Sequence, residues 1–552
     1  MTGGSMLAHL VQTAGGIRVH DVRFTGTGGT AMAGLLFVPP GATPATPAPG
    51  ILAVHGYFNS RETQADFAIE FARRGYVVLA LDQTGHGRSD PPAVSNAFGG
   101  PDGLRYLRSL DIVDRDNIGL EGHSMGGWAV VSAAAAIPDG YRSMVLEGSS
   151  TGPPFAPAGT AEFPRNLAVV FARFDEFAPV MWEVPTGSAV TQSRKLWKQF
   201  DTTDAVEPDR LYGSIEQGTA RMLNTPGGTH PWNHLSKTAI GYATAWFQRT
   251  LKGGNSRPAT DQIWQWKELG TLTALVGFVV LLLGMFELLL GLPYFSPLRT
   301  APVIARRDRS TRWWITLLAG ALLPALTLLP FTQLGSLWMP ASHLFPQTFS
   351  NEIVVWALLN AALVIALSLL PGSIRPQPVD HAARGALLAL LTVMAGYAVV
   401  ALLYAFFLVD LRYWFIAFRP LQPAQLGTFL AYVAPFVVFF LVVLRALHAN
   451  LAVGSHSPAR QFVVNLAALA GGFVVFLAVQ YGLLFSTGQM LGFFANDALR
   501  TIIAINFLPL MTMVAILSTF TWRRTGSHVP GAVLCALLIA WYLIVGQATQ
   551  VA

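Results

Sequence analysis

The sequence predicts an α/β domain built on a mostly parallel sheet, followed by an all-α polytopic transmembrane domain of about eight helices. Two observations carry this. In the first half of the chain short apolar runs alternate with helical stretches, and one run passes through Gly122-His123-Ser124-Met125-Gly126-Gly127 into an alanine-rich helix. Beyond residue 268 come repeated apolar stretches of about 20 residues, the length that crosses a bilayer. Averages blur the division: 52% of the 552 residues are hydrophobic and 12% charged, against ~25% charged in an ordinary soluble domain. The formal charge of +6 comes from Arg clusters in loops, not from a basic face interleaved with aromatics, so no nucleic-acid partner is expected. Cys535 is the only cysteine, which excludes an intrachain disulfide.

Residues 1–16 read as an N-terminal segment, the remnant of an upstream anchor, and residues 17–252 as the first domain. Runs 17–24 and 30–37 alternate in the β pattern across Thr-Gly-Thr-Gly-Gly, a hairpin signal. After a Pro/Ala/Thr-rich loop, strand 51–54 enters His55-Gly56-Tyr57, and 62–74 reads as a helix. Strand 76–81 ends in Asp82-Gln83-Thr84-Gly85-His86-Gly87-Arg88-Ser89-Asp90. Strands at 118–122, 143–146, 167–172 and 219–223 follow, with a closing helix over about 236–251. Short apolar strands separated by helices imply parallel pairing, with chemistry collected at the carboxyl ends. At Ser124 the sharp strand-to-helix turn needs flanking glycines. It exposes the hydroxyl, with backbone N–H groups nearby to receive an oxyanion.

Three features in the right order and spacing now stand together: the Gly-His-Ser-Met-Gly-Gly turn, His55-Gly56 after an earlier strand, and the Asp-x-x-Gly-His-Gly-Arg-Ser-Asp loop. Residues 17–250 thereby resemble the α/β-hydrolase superfamily, in particular esterases, lipases and acyl-peptidases of the dienelactone-hydrolase and dipeptidyl-peptidase type. The resemblance implies Ser124 as nucleophile, an acid after a later strand and a histidine before the closing helix. Asp175, at the end of 167–172, takes the acid's place. Its neighbour Glu176 is the lesser candidate and better suits a solvent-facing loop tip. Asp82 precedes the nucleophile and is expected to brace its loop. For the base, His230 follows the flexible Thr225–Thr229 loop directly, while His234 remains the alternative, two residues before the N-cap Ser236. The oxyanion donors implied are the N–H groups of Tyr57 and Met125. His55, His86 and His123 belong to separate loops without metal-ligand spacing, so neither metal nor cofactor is expected.

The 148–167 connection is too short for a large cap, which leaves the excursion between Asp175 and His230. It reads as helical at 188–200 and 208–216. Its Phe177, Met181, Trp182, Leu196, Trp197 and Phe200 pack on the core, line an acyl or aromatic pocket, or rest on the bilayer.

Residues 253–268 read as a linker and 269–552 as the transmembrane domain, with spans near 270–292, 313–334, 352–371, 385–409, 427–446, 461–485, 500–520 and 529–547. Pro324 and Pro330 interrupt the second span, and Asn360 sits in the third. Arginines gather after alternate spans: Arg299, Arg306, Arg307, Arg309 and Arg312; Arg375 and Arg384; Arg445 and Arg460; Arg523 and Arg524. The other loops are poorer, Arg412 and Arg419 excepted. The positive-inside rule then places residues 1–268 on the extracytoplasmic face of the cell membrane. The lack of a signal-peptide pattern in the first 16 residues argues the other way. Glu287, Asn360, Asn465, Gln480 and Asn506 within or near spans suit helix–helix hydrogen bonding, and 411–420 resembles a headgroup-level interfacial stretch.

The expected function is a membrane-bound serine hydrolase acting on a small or medium acyl ester, lipidic or soluble, through a Ser-His-Asp triad. Two alternatives stay open: an amidase or peptidase with the same triad, and a transport or assembly module with a hydrolase-like binding domain. The spans are expected to act as a tether, so that residues 1–260 alone would keep activity on a soluble ester.

Overall fold

The computed structural model describes residues 1–58, 60–301, 310–369, 381–453 and 457–551. Arg306, Arg307, Arg309 and Arg375, used above in the charge argument, lie outside these described residues.

After helix α1 (Thr2–Gln12) the N-terminal domain runs β1 (Arg18–Thr25), β2 (Ala31–Val38), β3 (Ala48–Val54), α2 (Ala65–Arg73), β4 (Val77–Leu81), the single turn α3 (Ser95–Phe98), α4 (Gly100–Ser109), β5 (Val113–His123), α5 (Met125–Ala136), β6 (Ser143–Glu147), β7 (Leu167–Val170), two short helices α6 (Ala178–Trp182) and α7 (Arg194–Phe200), β8 (Arg221–Asn224) and α8 (Lys237–Thr250). The eight strands form one sheet in the order β1-β2-β4-β3-β5-β6-β7-β8. β1–β2 and β2–β4 pair antiparallel and every later neighbour pairs parallel. Side chains alternate between two cores. Leu52, Val54, Leu79 and Leu81 meet α4 and α5 on one face. Ile51, Ala53, Val78 and Ala80 meet α2 and α8 on the other. Such burial on both faces is why these strands read as continuous apolar runs.

Residues 187–192 form a 3-10 helix that leads into α7, whereas 208–216, expected to be helical, are turns with a Tyr212–Arg221 bridge. Pro208 and Gly213 lie within that stretch, and Gly213 adopts φ +69°, which breaks a helix. Met181, Trp182, Leu196 and Phe200 are all buried in the core of the domain.

The C-terminal half consists of α9 (Trp264–Leu290), α10 (Thr311–Leu326), α11 (Leu328–Trp338), α12 (Thr348–Ser368), α13 (Ala382–Phe407), a hairpin β9 (Leu411–Tyr413) and β10 (Ile416–Phe418), α14 (Gln425–Asn450), α15 (Pro458–Thr487), α16 (Asp497–Thr525) and α17 (Val529–Gly546). Among the described residues, seven helices are long and apolar enough to cross a membrane, or eight with α10 and α11 taken as one span bent by 50°. Pro324 and Pro330 flank the bend. α12 holds it: Asn360 Nδ2 donates to Thr327 Oγ1 (3.1 Å) and Trp356 Nε1 to the Pro324 carbonyl (3.0 Å). Elsewhere Asn465 Nδ2 donates to Thr519 Oγ1 (2.8 Å) between α15 and α16. Glu287, near the end of α9, pairs with Arg299 and Arg524 at 3.1 and 3.0 Å.

α9 begins inside the stretch expected to be linker. Trp264 joins the N-terminal domain's core, and Lys267 Nζ pairs with Asp66 (3.3 Å). α1 lies along α9, where a Cβ on Gly4 would meet the Gly270 carbonyl at 2.5 Å and one on Gly270 would meet Ala8 N at 2.7 Å. Small residues permit this approach, as at membrane helix interfaces.

Candidate active site

The parallel strands point their carboxyl ends at the C-terminal half, so the loops that carry the candidate residues lie in the seam between the two halves. Ser124 follows β5 with φ +53° and ψ −121°, a left-handed conformation that costs about 1–3 kcal/mol in a non-glycine residue. The surroundings enforce it. Ser124 N–H donates to the Glu147 carbonyl (2.9 Å), and the Ser124 carbonyl accepts from Gly127 N–H (2.9 Å) and Ser149 Oγ (2.6 Å). A side chain on Gly126 would strike the carbonyls of Val54 and His55. The loop after β3 crosses directly over the serine, where a Cβ on Gly56 would stand 3.3 Å from Ser124 Cβ. The next backbone N–H along that loop is that of Tyr57.

Asp175 and His230 meet. His230 Nδ1 donates to Asp175, 2.9 Å from Oδ2 and 3.1 Å from Oδ1, and both side chains are buried. Phe177 N–H fixes the carboxylate from the other side (2.9 Å to Oδ1), and the Phe177 ring packs edge-on against the imidazole. Gly148 makes the pairing possible: at φ +53° it follows β6, and a Cβ there would lie 3.0 Å from His230 Nδ1 and 3.2 Å from Asp175 Oδ2. No motif marks Gly148 in the sequence. Burial pushes the His230 imidazole down to about 3, which keeps it neutral at physiological pH. Among the described residues no hydrogen bond joins Ser124 Oγ to His230. Such contacts often tighten only once substrate is bound.

His234 stands apart from the acid. It packs on His123, Phe67 and Phe415, and its Nδ1 has no partner among the described residues. His55, His86 and His123 bond to backbone: His55 Nδ1 to Gly56 O (2.7 Å), His86 Nε2 to Tyr57 O (2.8 Å), His123 Nε2 to His230 O (3.1 Å). Asp82 braces its loop by accepting the N–H groups of Arg61 (2.8 Å) and Arg88 (2.9 Å).

Glu176 is not a solvent-facing loop tip. Its Oε2 accepts the backbone N–H of His230 (2.7 Å), and its Oε1 accepts the hydroxyl of Tyr481 from α15 (3.0 Å). Burial first, and then the neighbouring Asp175 charge, raise its carboxyl to about 8.

Tyr481 is one of many contacts from the C-terminal half. Phe349 packs on Tyr57, Phe415 on Phe58 and His234, and Phe485 on Phe174. Trp414 Nε1 donates to the Pro231 carbonyl (3.4 Å) and Gln550 Nε2 to the Tyr57 hydroxyl (3.3 Å). Thr549 pairs with the loop after β4, accepting Ala93 N–H and donating to the Gly85 carbonyl, both at 2.8 Å. Glu62 is buried between Arg61 and Arg419 (3.1 Å to the latter) and accepts the Tyr404 hydroxyl (2.8 Å). Helices and loops of the second half thus lie over the candidate site and bond to its loops. The 411–420 stretch is no headgroup anchor. Arg412, Ile416 and Phe418 are buried, and Arg412 pairs with Asp410 (2.6 Å). Sequence order hid this cover, because a lid is sought between strands and not hundreds of residues later.

Residues 49–180 match the family described as the alpha/beta hydrolase fold. Over 210 residues the chain is 28% identical to a monoacylglycerol lipase of Mycolicibacterium smegmatis, which covers 36% of this chain and 69% of that protein. It is 36% identical over 88 residues to a 2-hydroxy-6-oxononadienedioate/2-hydroxy-6-oxononatrienedioate hydrolase of Cupriavidus pinatubonensis, covering 16% of this chain and 30% of that one. A solved esterase from Pyrobaculum calidifontis aligns with 45% of this chain and 90% of its own, at 15% identity and a TM-score of 0.32.

Proposed function

We propose that the α/β-hydrolase domain of this integral membrane protein is a serine hydrolase that cleaves a carboxylic ester by way of an acyl-enzyme. The observation that carries the reading is the buried Asp175–His230 pair on loops that converge with the left-handed Ser124 at the carboxyl end of the sheet.

A neutral His230 is ready to accept the Ser124 proton at Nε2 as Oγ attacks the ester carbonyl. Asp175 holds the other nitrogen protonated and stabilises the imidazolium that forms. The tetrahedral oxyanion would be received by the N–H groups of Tyr57 and Met125, each preset by a rigid turn. Collapse expels the alcohol, which takes the proton from His230. Water activated by the same ring then releases the acid and frees Ser124. The likeness to a monoacylglycerol lipase supports an ester over an amide.

The reading includes a side of the membrane. Lys267 at the start of α9, Phe349 at the start of α12, Gln422 just before α14, Tyr404 near the end of α13 and Tyr481 near the end of α15 contact Asp66, Tyr57, Arg23, Glu62 and Glu176 of the hydrolase domain. Arg500 of α16, Met339 after α11 and Val545 of α17 bond Glu352, Asn351 and Arg419 at that same level, which puts these helix ends on the hydrolase side too. Arg299, Arg312, Arg384, Arg445, Arg460, Arg523 and Arg524 thus fall at the opposite ends. Arg412, Arg419 and Arg500, which lie on the hydrolase side, are each paired with a carboxylate, Asp410, Glu62 and Glu352. The positive-inside rule then favours an extracytoplasmic active site.

The test is covalent labelling of the full-length protein. A fluorophosphonate should label the wild type and turnover of p-nitrophenyl esters should exceed that of aminoacyl-anilides, while Ser124→Ala loses both labelling and hydrolysis. Undiminished activity in Ser124→Ala would refute the assignment, and preferred anilide turnover would make the protein an amidase.

A further inference from the structure

We propose that the C-terminal half supplies the acyl-binding pocket of this hydrolase, taking the chain of a bilayer-partitioned ester sideways between the hydrolase domain and α15. The proposal rests on the serine-hydrolase reading above and adds to it the part of the substrate that is recognised, and by which residues.

A cavity of about 410 Å³ lies in the seam, open on one side, within the range of roughly 300–1,000 Å³ usual for small-molecule sites. One wall is the loop that carries the base: Gly228 and Thr229 immediately before His230, and Trp232 just after it. The other is membrane protein: Trp414 from the hairpin turn, Leu477, Tyr481 and Phe485 from α15, and Ile505 from α16. Almost all of this lining is carbon. Two of the polar groups on the membrane-protein wall are engaged elsewhere, the Tyr481 hydroxyl with Glu176 and the Trp414 indole with Pro231. So apolar a lining favours a hydrocarbon chain over a sugar, a peptide backbone or an anion.

The approach is set by what surrounds the cavity. Val474, Val475, Val479 and Phe485 of α15 leave about half their surface exposed (53%, 53%, 48% and 53%) although they are apolar and lie in one stretch of a spanning helix. These residues face lipid. The cavity sits beside the last turns of that helix, at the edge of the apolar layer on the hydrolase side, so a chain leaving the bilayer meets it first. Trp232, half-exposed (49%) between cavity and surface, stands at the rim next to His230. α15 also reaches the base loop itself through Tyr481 and Glu176, so the helix that receives the chain is hydrogen-bonded to the loop that holds the imidazole.

The experiment uses the full-length protein in phosphatidylcholine nanodiscs and two fluorophosphonates, one with an ethyl group and one with a dodecyl chain ending in a diazirine. After labelling and irradiation, the dodecyl probe should crosslink to peptides containing Leu477, Tyr481, Phe485 or Ile505. Crosslinks confined to the hydrolase domain, for example to 181–200, would overturn the proposal. As a second measurement, Ile505→Trp should lower the ratio of dodecyl to ethyl labelling rates about tenfold, the effect of excluding roughly two methylenes; an unchanged ratio would overturn it too. If neither probe labels the wild type, the serine-hydrolase reading itself fails, and this inference with it. Labelling by both with crosslinks elsewhere leaves that reading intact and removes only the pocket.

Discussion

A histidine can take a proton from serine only while it is neutral, and burial keeps His230 in that form far below the ordinary histidine range. Protonation at low pH removes the base, so kcat/KM on a short ester should fall toward acid with a midpoint below the free-histidine value of about 6.5. A midpoint at or above that value would show a ring exposed to water. His230→Ala should lower kcat by about 10³ or more and His234→Ala by much less, since of the two it is His230 that bonds Asp175; kcat measured on folded variants ranks the two. Glu176 adds a second pH effect. It is neutral below about 8 and ionises above, placing a negative charge against the base loop. An inflection near pH 8 in the profile should therefore vanish in Glu176→Gln, which keeps an oxygen for the His230 N–H. Ser124 and its turn were legible from the sequence because a left-handed serine needs its glycines at fixed offsets. Glu176 was not, because the partner that buries it, Tyr481, lies some 300 residues away and no local pattern announces it.

Between the elements, the seam is held by ions as much as by apolar rings. Glu62 lies just after the β3 loop. Burial alone would raise its carboxyl, but Arg419 and Arg61 hold it well below the usual range. Arg419 follows the β9–β10 hairpin and also donates to the Val545 carbonyl at the end of α17. Arg419→Met removes one partner of a buried pair, which typically costs about 3–5 kcal/mol. A large fall in Tm in detergent should follow, along with a loss of hydrolase activity as the Tyr57 loop loses its support; a variant as stable as wild type would mean that Arg61 alone balances Glu62. Strands and spanning helices were readable because both carry strong apolar patterns. The hairpin at 411–418 was not, since aromatics interleaved with arginine look alike whether they meet headgroups or a protein surface. The bend between α10 and α11 was half-readable: its two prolines mark a break, while the angle is set by Asn360 and Trp356 across the helix pair.

For the whole molecule the critical prediction is sidedness. Ser342, in the loop between α11 and α12, lies on the hydrolase side, and Ser310 at the start of α10 lies on the other; both are exposed. In a Cys535→Ser background a cysteine placed at 342 should react with an impermeant maleimide in whole cells, and one placed at 310 only after permeabilisation. The reverse pattern would put the active site in the cytoplasm. The two halves were separable by composition alone, yet their mutual arrangement was not, because nothing in either half's periodicity tells which loops meet. The Thr549 and Gln550 contacts with the Gly85–Ala93 and Tyr57 loops have a further consequence, one of timing. The hydrolase domain precedes the spans in the chain, but the residues that bond its Gly85–Ala93 and Tyr57 loops follow α17. At about 5–20 residues per second, the intervening chain takes on the order of tens of seconds to make. On the proposed reading, hydrolysis should therefore appear only after α17 is made and inserted, which a time course of activity during synthesis would check.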